Sequence, residues 1–297
     1  MALDILDREI RQAAEKYLAQ LEARLQSDVI FFYGEIFPGI ERILRDLIEA
    51  LVDDQTEKRS NSLSIILNTP GGSAETTEKL VRITRHHYEK VYFIVPDSAM
   101  SAGTIWCMSG DKIYMDYSSA LGPIDPQVHN GTTFVPALNY LDKVDELIKK
   151  SAENTLTQAE FIMLRELDLA ELRTYEQARD LTITLLEQWL VKYKFRAWTH
   201  HRTNQEKKGQ LVTEEEKRER AREIAQKLND TSLWHSHGRS IGVESLKQIL
   251  RLEVDDYTDD IELSRQIRQY SDMLTGCYHR SIIDPPRRSE IDPPWRL

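Results

Sequence analysis

The amino-acid sequence predicts an α/β fold with a largely parallel sheet in its first half, followed by a mainly helical second half. Between residues 29 and 115, short apolar runs alternate with segments of helical periodicity. Strands that alternate with helices are typical of parallel sheets, because each crossover helix returns the chain to the same edge. After Pro136 the pattern changes to long charged helices without strand signals.

The elements of the first half follow from their apolar spacing. Residues 5–25 carry apolar side chains three and four apart, which predicts an amphipathic helix that needs a partner surface. The runs predicted as buried strands are 29–33, 63–67, 91–95 and 112–115, and those predicted as helices are 40–52, 75–87 and 104–108.

The second half contains two marked helix starts. Thr157 precedes Glu160 by three residues and Thr213 precedes Glu216 by three, which are capping-box spacings. The helix that follows Thr213 is so polar that we expect only one narrow face of it to pack. Shorter helices are expected at 245–252 and 261–274.

Four regions are expected along the chain. Residues 1–26 form the N-terminal helix, 27–135 the α/β core, 136–284 a helical region that completes the fold and supplies oligomer contacts, and 285–297 a tail. The tail has two Pro-Pro pairs and mixed charge, which is the composition of a disordered segment.

Composition narrows the functional classes. The formal net charge is −10, which disfavours a surface that tracks nucleic-acid phosphates. The two cysteines, Cys107 and Cys277, lack metal-ligand or disulfide-framework spacing, and no apolar run reaches membrane-spanning length. We therefore expect a cytoplasmic protein with no nucleic-acid partner, no membrane span, and no metal or cofactor.

Two turns carry the candidate chemistry. Pro70, Gly71 and Gly72 follow a predicted strand, where glycines let backbone N–H groups face a ligand. Ser101 lies among small residues at the next strand-to-helix turn, where the helix dipole favours a developing negative charge. Each turn alone has an ordinary explanation, a tight turn for the glycines and a helix N-cap for Ser101. Together they predict a nucleophile beside an oxyanion hole.

The sequence resembles the Clp-fold serine proteases, and within them the signal peptide peptidase A group and its soluble relatives, the serine dehydrogenase proteinases. The resemblance is sharpest between residues 29 and 128 and implies a Clp protease/crotonase-like core. The segments that carry it are Leu67–Ser73, Asp97–Thr104, Gly110–Met115 and Ser119–Gln127, with a weaker match at Trp234–Ile241.

The resemblance implies roles for individual residues. Ser101 falls on the nucleophile, and Gly71, Gly72 and Ala102 fall on the segments that donate oxyanion-hole amides. Asp125 stands where the Clp protease branch has its catalytic histidine, so that histidine is missing from its expected place.

The signal peptide peptidase branch uses a lysine base, at a Lys-Ser-Ala-like helix start. Lys150 is followed by such a Ser-Ala pair and is the predicted base. A lysine base needs a lowered pKa, so that the neutral amine exists near pH 7. Lys143, Lys149 and His129 are alternatives.

The predicted function is cleavage of peptide bonds in a peptide or protein substrate, by a chain that forms homo-oligomers and has a further, unidentified protein partner. One alternative is an inactive Clp-fold scaffold or peptide-binding module, which the absent histidine favours. Another is a crotonase-like acyl-CoA enzyme, which also uses paired oxyanion-hole amides but does not need a serine at position 101.

Overall fold

A five-stranded parallel sheet forms the centre of the protein. The computed structural model describes residues 2–53, 60–129, 132, 134–202 and 204–283. In order across the sheet, its strands are β1 (Asp28–Tyr33), β2 (Ser62–Asn68), β3 (Lys90–Val95), β5 (Lys112–Met115) and β9 (Asp255–Asp256), and every adjacent pair is parallel. A second small parallel pair, β4 (Ser98–Ala99) and β6 (Ala120–Leu121), lies beyond the carboxyl ends of the main strands. The strands β7 (Gln127–His129) and β8 (Phe134–Pro136) form an antiparallel hairpin. The α/β class and the parallel sheet predicted from the sequence are confirmed.

The strands and helices that the apolar spacing predicts in the first half are present, with one shift, and the short strands β4, β6, β7 and β8 are additional. The helix after Ser101 begins two residues earlier than predicted, directly behind the serine. In chain order the elements are α1 (Ala2–Leu25), β1 (Asp28–Tyr33), α2 (Ile40–Asp53), β2 (Ser62–Asn68), α3 (Ala74–His87), β3 (Lys90–Val95), β4 (Ser98–Ala99), α4 (Ala102–Cys107), β5 (Lys112–Met115), β6 (Ala120–Leu121), β7 (Gln127–His129) and β8 (Phe134–Pro136).

The second half is mainly helical, as predicted. Its helix α8 buries only a narrow stripe that includes Ala221, Ile224 and Leu228, and the capping boxes at Thr157 and Thr213 are formed. Its elements are α5 (Ala137–Ala152), α6 (Gln158–Arg165), α7 (Leu169–Trp189), a π-helical turn (Leu190–Lys194), α8 (Glu214–Asn229), α9 (Thr231–Trp234), α10 (Val243–Gln248), β9 (Asp255–Asp256) and α11 (Ile261–Ile283).

Helices cover both faces of the sheet. Alternate side chains of each strand point to opposite faces, so a strand can contribute to two hydrophobic clusters. In β2, Leu63, Ile65 and Leu67 join the larger hydrophobic cluster, formed with α2, α3, α4, α7 and α8. Ile66 points the other way, into a cluster with α1 and α11. The predicted N-terminal amphipathic helix therefore packs within its own chain, where Leu21 is fully buried.

The helical half packs against the same core as the strands. Leu186, Ile224 and Leu250 lie in the cluster that contains the β2 side chains. The strand β9 comes from this half and pairs with β5, and Ile241 pairs with Leu121 of β6. The sequence predicted neither β9 nor the β7–β8 hairpin. The predicted tail at 285–297 lies outside the described residues.

A buried carboxylate ties α11 to the carboxyl end of β5. Asp116 follows β5 and is almost wholly buried, and its Oδ2 accepts a hydrogen bond from Arg268 at 2.6 Å. Its Oδ1 accepts from the backbone and hydroxyl of Ser118. Burial by itself would raise the pKa of Asp116, but hydrogen bonds from Ser118 and Arg268 outweigh it and hold that pKa below the ordinary value.

Replacing Arg268 by alanine is expected to lower the free energy of unfolding by about 1–3 kcal/mol, because Asp116 loses its counter-ion while remaining buried. Arg265→Ala is the matched control on the same helix, since Arg265 pairs with Glu262 in solvent and such pairs contribute under about 1 kcal/mol. Urea unfolding of the three proteins measures the difference.

The same pair predicts a pH dependence. A carboxyl whose pKa is lowered by folding stabilises the fold above its unfolded pKa and loses that contribution as the pH falls through its folded pKa. The gap between wild type and Arg268→Ala should therefore be complete at neutral pH and shrink below the ordinary Asp pKa of 3.8. A gap that stays constant down to the lowest pH at which both variants fold would show that Arg268 acts by packing alone.

Candidate active site

Two backbone segments run side by side beyond the carboxyl ends of β2 and β3. The N–H of Thr69 donates to the carbonyl of Ser98 at 2.9 Å, and the N–H of Met100 donates to the carbonyl of Thr69 at 3.0 Å. On the other side of the Thr69 segment, Ile36 pairs with Gly72. In open parallel sheets this edge is the usual place for a ligand site.

Ser101 occupies a conformation that side-chain-bearing residues rarely adopt. Its φ is 49° and its ψ is −116°, immediately before the first residue of α4. Such a backbone costs about 1–3 kcal/mol and persists only where surrounding contacts impose it. The hydroxyl makes no capping hydrogen bond to α4, so the ordinary N-cap explanation for this serine is wrong.

The hydroxyl of Thr104 stabilises the turn at Ser101. The Oγ1 of buried Thr104 lies 2.7 Å from the carbonyl oxygen of Ala99 and 2.9 Å from both the carbonyl oxygen and the amide nitrogen of Gly122. These contacts join the Ser101 turn to the end of β6. The strained residue is thus fixed by groups that are themselves buried.

Gly71 touches the serine. A Cβ on Gly71 would lie 2.8 Å from Ser101 Cβ and 2.9 Å from the carbonyl oxygen of Met100, closer than real side chains approach. Its φ of +108° also favours glycine. The amide of Gly71 is already engaged, since it donates to Thr69 Oγ1 at 3.0 Å.

Gly72 directs its amide toward the serine side. The carbonyl of Gly71 points at Ile36, whose N–H donates to it at 2.8 Å. In a trans peptide the N–H of the next residue points the opposite way, so the Gly72 N–H faces away from Ile36. The segment Ser98–Ser101 lies on that side, because Thr69 pairs with it there.

Ala102 supplies a second amide at the same place. It is the first residue of α4, and the first N–H groups of a helix have no acceptor within the helix. A Cβ on Gly71 would lie 3.3 Å from the nitrogen of Ala102. The structure thus brings Ser101, Gly71, Gly72 and Ala102 together.

Lys150 has surroundings that favour its charged form. It lies in the last turn of α5, not at a helix start, and its Nζ is 2.6 Å from Glu160 and 2.9 Å from Glu146. Its hydrogen bonds to Glu160 and then to Glu146 raise the pKa of Lys150 to about 12. A lysine that serves as a base needs the opposite shift.

The alternative bases differ in what the structure shows of them. Lys143 is half exposed and pairs with Glu146 at 2.8 Å, and Lys149 is exposed in the last turn of α5. His129 ends β7, and its side chain lies outside the described residues. Within the described part of the chain, none of the three predicted lysines hydrogen-bonds to Ser101.

An Asp–His pair lies at the position where the sequence lacks the expected histidine. Asp125 is buried, and its Oδ1 is 2.9 Å from Nδ1 of His237, 112 residues further along the chain. No local pattern links the two residues. The pair was missed because only the tertiary fold brings them together.

Other chemistry is sparse in the described residues. They contain no cluster of three or more His, Cys, Asp or Glu side chains placed to hold a metal ion, and none of their helices has the length and apolarity of a membrane span. Burial raises the pKa of the Cys107 thiol well above its ordinary value, which disfavours Cys107 as a nucleophile.

Comparison with models of protein families identifies the family of this chain. The model of the ClpP-like SDH-type serine proteinases matches residues 39–207, more than half of the chain. The chain belongs to this family. The matched range contains Ser101 and both glycines, so the members of this serine proteinase family share the segment in which the site lies.

Two uncharacterized proteins of Methanocaldococcus jannaschii are similar to parts of the chain. One is 32% identical over 94 residues, covering 32% of this chain and 31% of that protein. The other is 29% identical over 136 residues, covering 43% of this chain and 48% of that protein. The chain thus matches less than half the length of these curated relatives.

Among solved structures, two variants of the 1510-N membrane-bound stomatin-specific protease are similar. A serine-to-alanine variant is 14% identical with a TM-score of 0.46, over 80% of this chain and 82% of that one. A lysine-to-alanine variant in complex with a substrate peptide is 20% identical with a TM-score of 0.32, over 44% of this chain and 65% of that one.

Gly72 is expected to tolerate no side chain, because a Cβ there would lie 2.1 Å from the backbone oxygen of Ile36. We expect Gly72→Ala to lower the free energy of unfolding by at least about 2 kcal/mol. Gly276→Ala is the control, for which we expect the free energy of unfolding to rise instead of fall. Gly276 lies within α11 with open space around it, so alanine there should add about 0.5–1 kcal/mol. Equal stabilities of the two variants, measured by urea unfolding, would contradict the close approach at Gly72.

Proposed function

We propose that the protein hydrolyses peptide bonds, with Ser101 as nucleophile and the backbone amides of Gly72 and Ala102 as the oxyanion hole. The observation that carries this proposal is the strained, uncapped serine at the carboxyl edge of the sheet, in contact with the Gly71–Gly72 turn and directly before the first amide of α4. Membership of a serine proteinase family supports the reaction class.

The reaction follows from this arrangement. Ser101 Oγ forms a bond to the carbonyl carbon while a base takes its proton, and the carbonyl π electrons move onto the oxygen that Gly72 and Ala102 bind. Collapse of the tetrahedral intermediate expels the amine, which takes the proton from the base. Water then attacks the acyl-enzyme in the same way and releases the carboxylic acid. Removing one oxyanion-hole donor typically reduces turnover by a factor of about 100–1000.

The Ser–Lys dyad predicted from the sequence stays a prediction. To act as the base, Lys150 would have to leave both Glu146 and Glu160 and lose the proton that those carboxylates stabilise. The dyad therefore requires the Lys150 side chain to break both ion pairs.

The proposed substrate is a peptide or protein. Membership of a serine proteinase family supports this substrate class. Homo-oligomer formation and a further protein partner stay predictions, and light scattering tests the oligomer directly.

Labelling with a fluorophosphonate probe tests the nucleophile. We expect one covalent adduct in the intact mass of the wild-type chain and none in Ser101→Ala, because the probe phosphonylates only an activated serine hydroxyl, with loss of fluoride. Ser98→Ala is the matched control, since Ser98 lies on the same segment and only its backbone contributes to the turn. We likewise expect the wild type and Ser98→Ala to hydrolyse fluorescein-labelled casein, and Ser101→Ala not to do so.

Two results would count against the proposal. An adduct that persists in Ser101→Ala would place the nucleophile elsewhere. A folded wild-type chain without adduct or casein hydrolysis would favour the alternative of an inactive peptide-binding member of the family, which peptide binding by calorimetry would then test.

A further inference from the structure

A side-chain hydroxyl lies at the end of the ladder between β4 and β6. The N–H of Ala120 donates to the carbonyl of Asp97 at 2.8 Å. Because donors of a parallel strand recur at every second residue, the N–H of Gly122 is the next one to face the carbonyl of Ala99. That N–H donates to Oγ1 of Thr104 at 2.9 Å, and the same oxygen lies 2.7 Å from the carbonyl oxygen of Ala99. The hydroxyl therefore bridges the two strands.

The bridge uses both hydrogen-bonding properties of a hydroxyl. Its oxygen accepts from the N–H of Gly122, and its single proton can be donated to one carbonyl at a time. The carbonyl oxygen of Ala99 at 2.7 Å is nearer than that of Gly122 at 2.9 Å. A methyl group in place of the hydroxyl could neither accept nor donate. It would deprive a buried N–H and a buried carbonyl of this partner.

The place of Thr104 in α4 directs its hydroxyl toward this ladder. Thr104 is the third residue of a helix that begins at Ala102, and side chains of a helix tilt toward its N-terminus. The hydroxyl therefore faces the segment that enters the helix, residues 99–101. Thr104 is fully buried, so bulk water does not compete for its contacts.

The segment that enters α4 is held from two sides. On one side Ala99 pairs with Thr69, and the N–H of Met100 donates to the carbonyl of Thr69 at 3.0 Å. On the other side the pairing of β4 with β6 ends at Ala99, and the bridge through Thr104 extends it to Gly122. Loss of the bridge would therefore weaken the second side alone.

The strained serine follows this segment. A backbone with the φ of 49° and the ψ of −116° found at Ser101 persists only where surrounding contacts impose it. One residue separates Ala99 from Ser101, and the amide of Ala102 comes directly after the serine. The position at which Ala99 is held therefore affects the directions of the serine hydroxyl and of that amide.

We propose that Thr104 is a positioning residue for the nucleophile Ser101. Its hydroxyl bridge holds the segment before the serine, and so keeps the serine hydroxyl and the amide of Ala102 in the orientation that the reaction needs. This inference rests on the proposed function. Because Thr104 is fully buried, it acts on the reaction only through these neighbours. A displacement of about 1 Å at a reacting group can reduce a rate by a factor of about 100.

The test is the concentration dependence of fluorophosphonate labelling, which separates affinity for the probe from the rate of the covalent step. The informative variant is Thr104→Val, because valine has the branched shape of threonine but no hydrogen-bonding group. We expect the rate of the covalent step to fall by a factor of about 10–100, with affinity for the probe unchanged. Thr104→Ser keeps the hydroxyl and should recover most of the wild-type rate.

Thr84→Val is the matched control for the loss of a buried hydroxyl. Thr84 is also buried, and its hydroxyl contacts the carbonyl oxygens of Leu80 and Val81 in its own helix, at 3.1 and 3.0 Å. Urea unfolding should show a loss of stability, but labelling should stay within about threefold of wild type. Where Thr104→Val does not fold, Thr104→Ala takes its place. It should label more slowly than Thr104→Ser, because it too lacks the hydroxyl.

The outcomes separate this inference from the proposed function. A slower covalent step in Thr104→Val, with recovery in Thr104→Ser and no change in Thr84→Val, supports both. If folded Thr104→Val labels Ser101 at the wild-type rate, the inference is overturned and the proposed function stands. The same holds if Thr84→Val slows as much, or if Thr104→Ser shows no recovery. If the folded wild-type chain never labels at Ser101, both fall.

Discussion

The close approach of two backbone segments at the carboxyl edge of the sheet is the constraint on which the rest of the site depends. Gly71 lies against Ser101 so tightly that a methyl group would not fit between them. This contact is possible because Thr69 pairs with the segment before Ser101, which continues the sheet pairing beyond β2 and β3. The strained backbone of Ser101 and the first residue of α4 both lie at that contact, beside Gly71.

Ion pairs hold several lysines of the second half. Lys143, Lys150, Lys207 and Lys217 each contact a glutamate, and for Lys150 such contacts raise the pKa to about 12. The buried carboxylate of Asp125 instead contacts an imidazole, at 2.9 Å from Nδ1 of His237.

Local patterns were enough to predict four strands of the central sheet, most helices and the turns at Gly71 and Ser101, because these depend on neighbours in sequence. Residues 63–67 are a buried strand wherever they pack, and a capping box at Thr157 needs only the next three residues. The Lys-Ser-Ala sequence at Lys150 is also local, but whether its lysine is neutral depends on Glu160, which belongs to the next helix.

Features that join distant segments could not be predicted in this way. The strand β9 is two aspartates, whose strand conformation comes entirely from pairing with β5. The contact between Asp125 and His237 likewise exists only after α8 has packed on the sheet and Ile241 has joined Leu121. Every segment that shapes the Ser101 turn, from Ile36 to Gly122, leaves the ribosome well before His237, and at usual rates of synthesis the interval is on the order of ten seconds. A growing chain therefore contains every segment of the Ser101 turn before it contains His237.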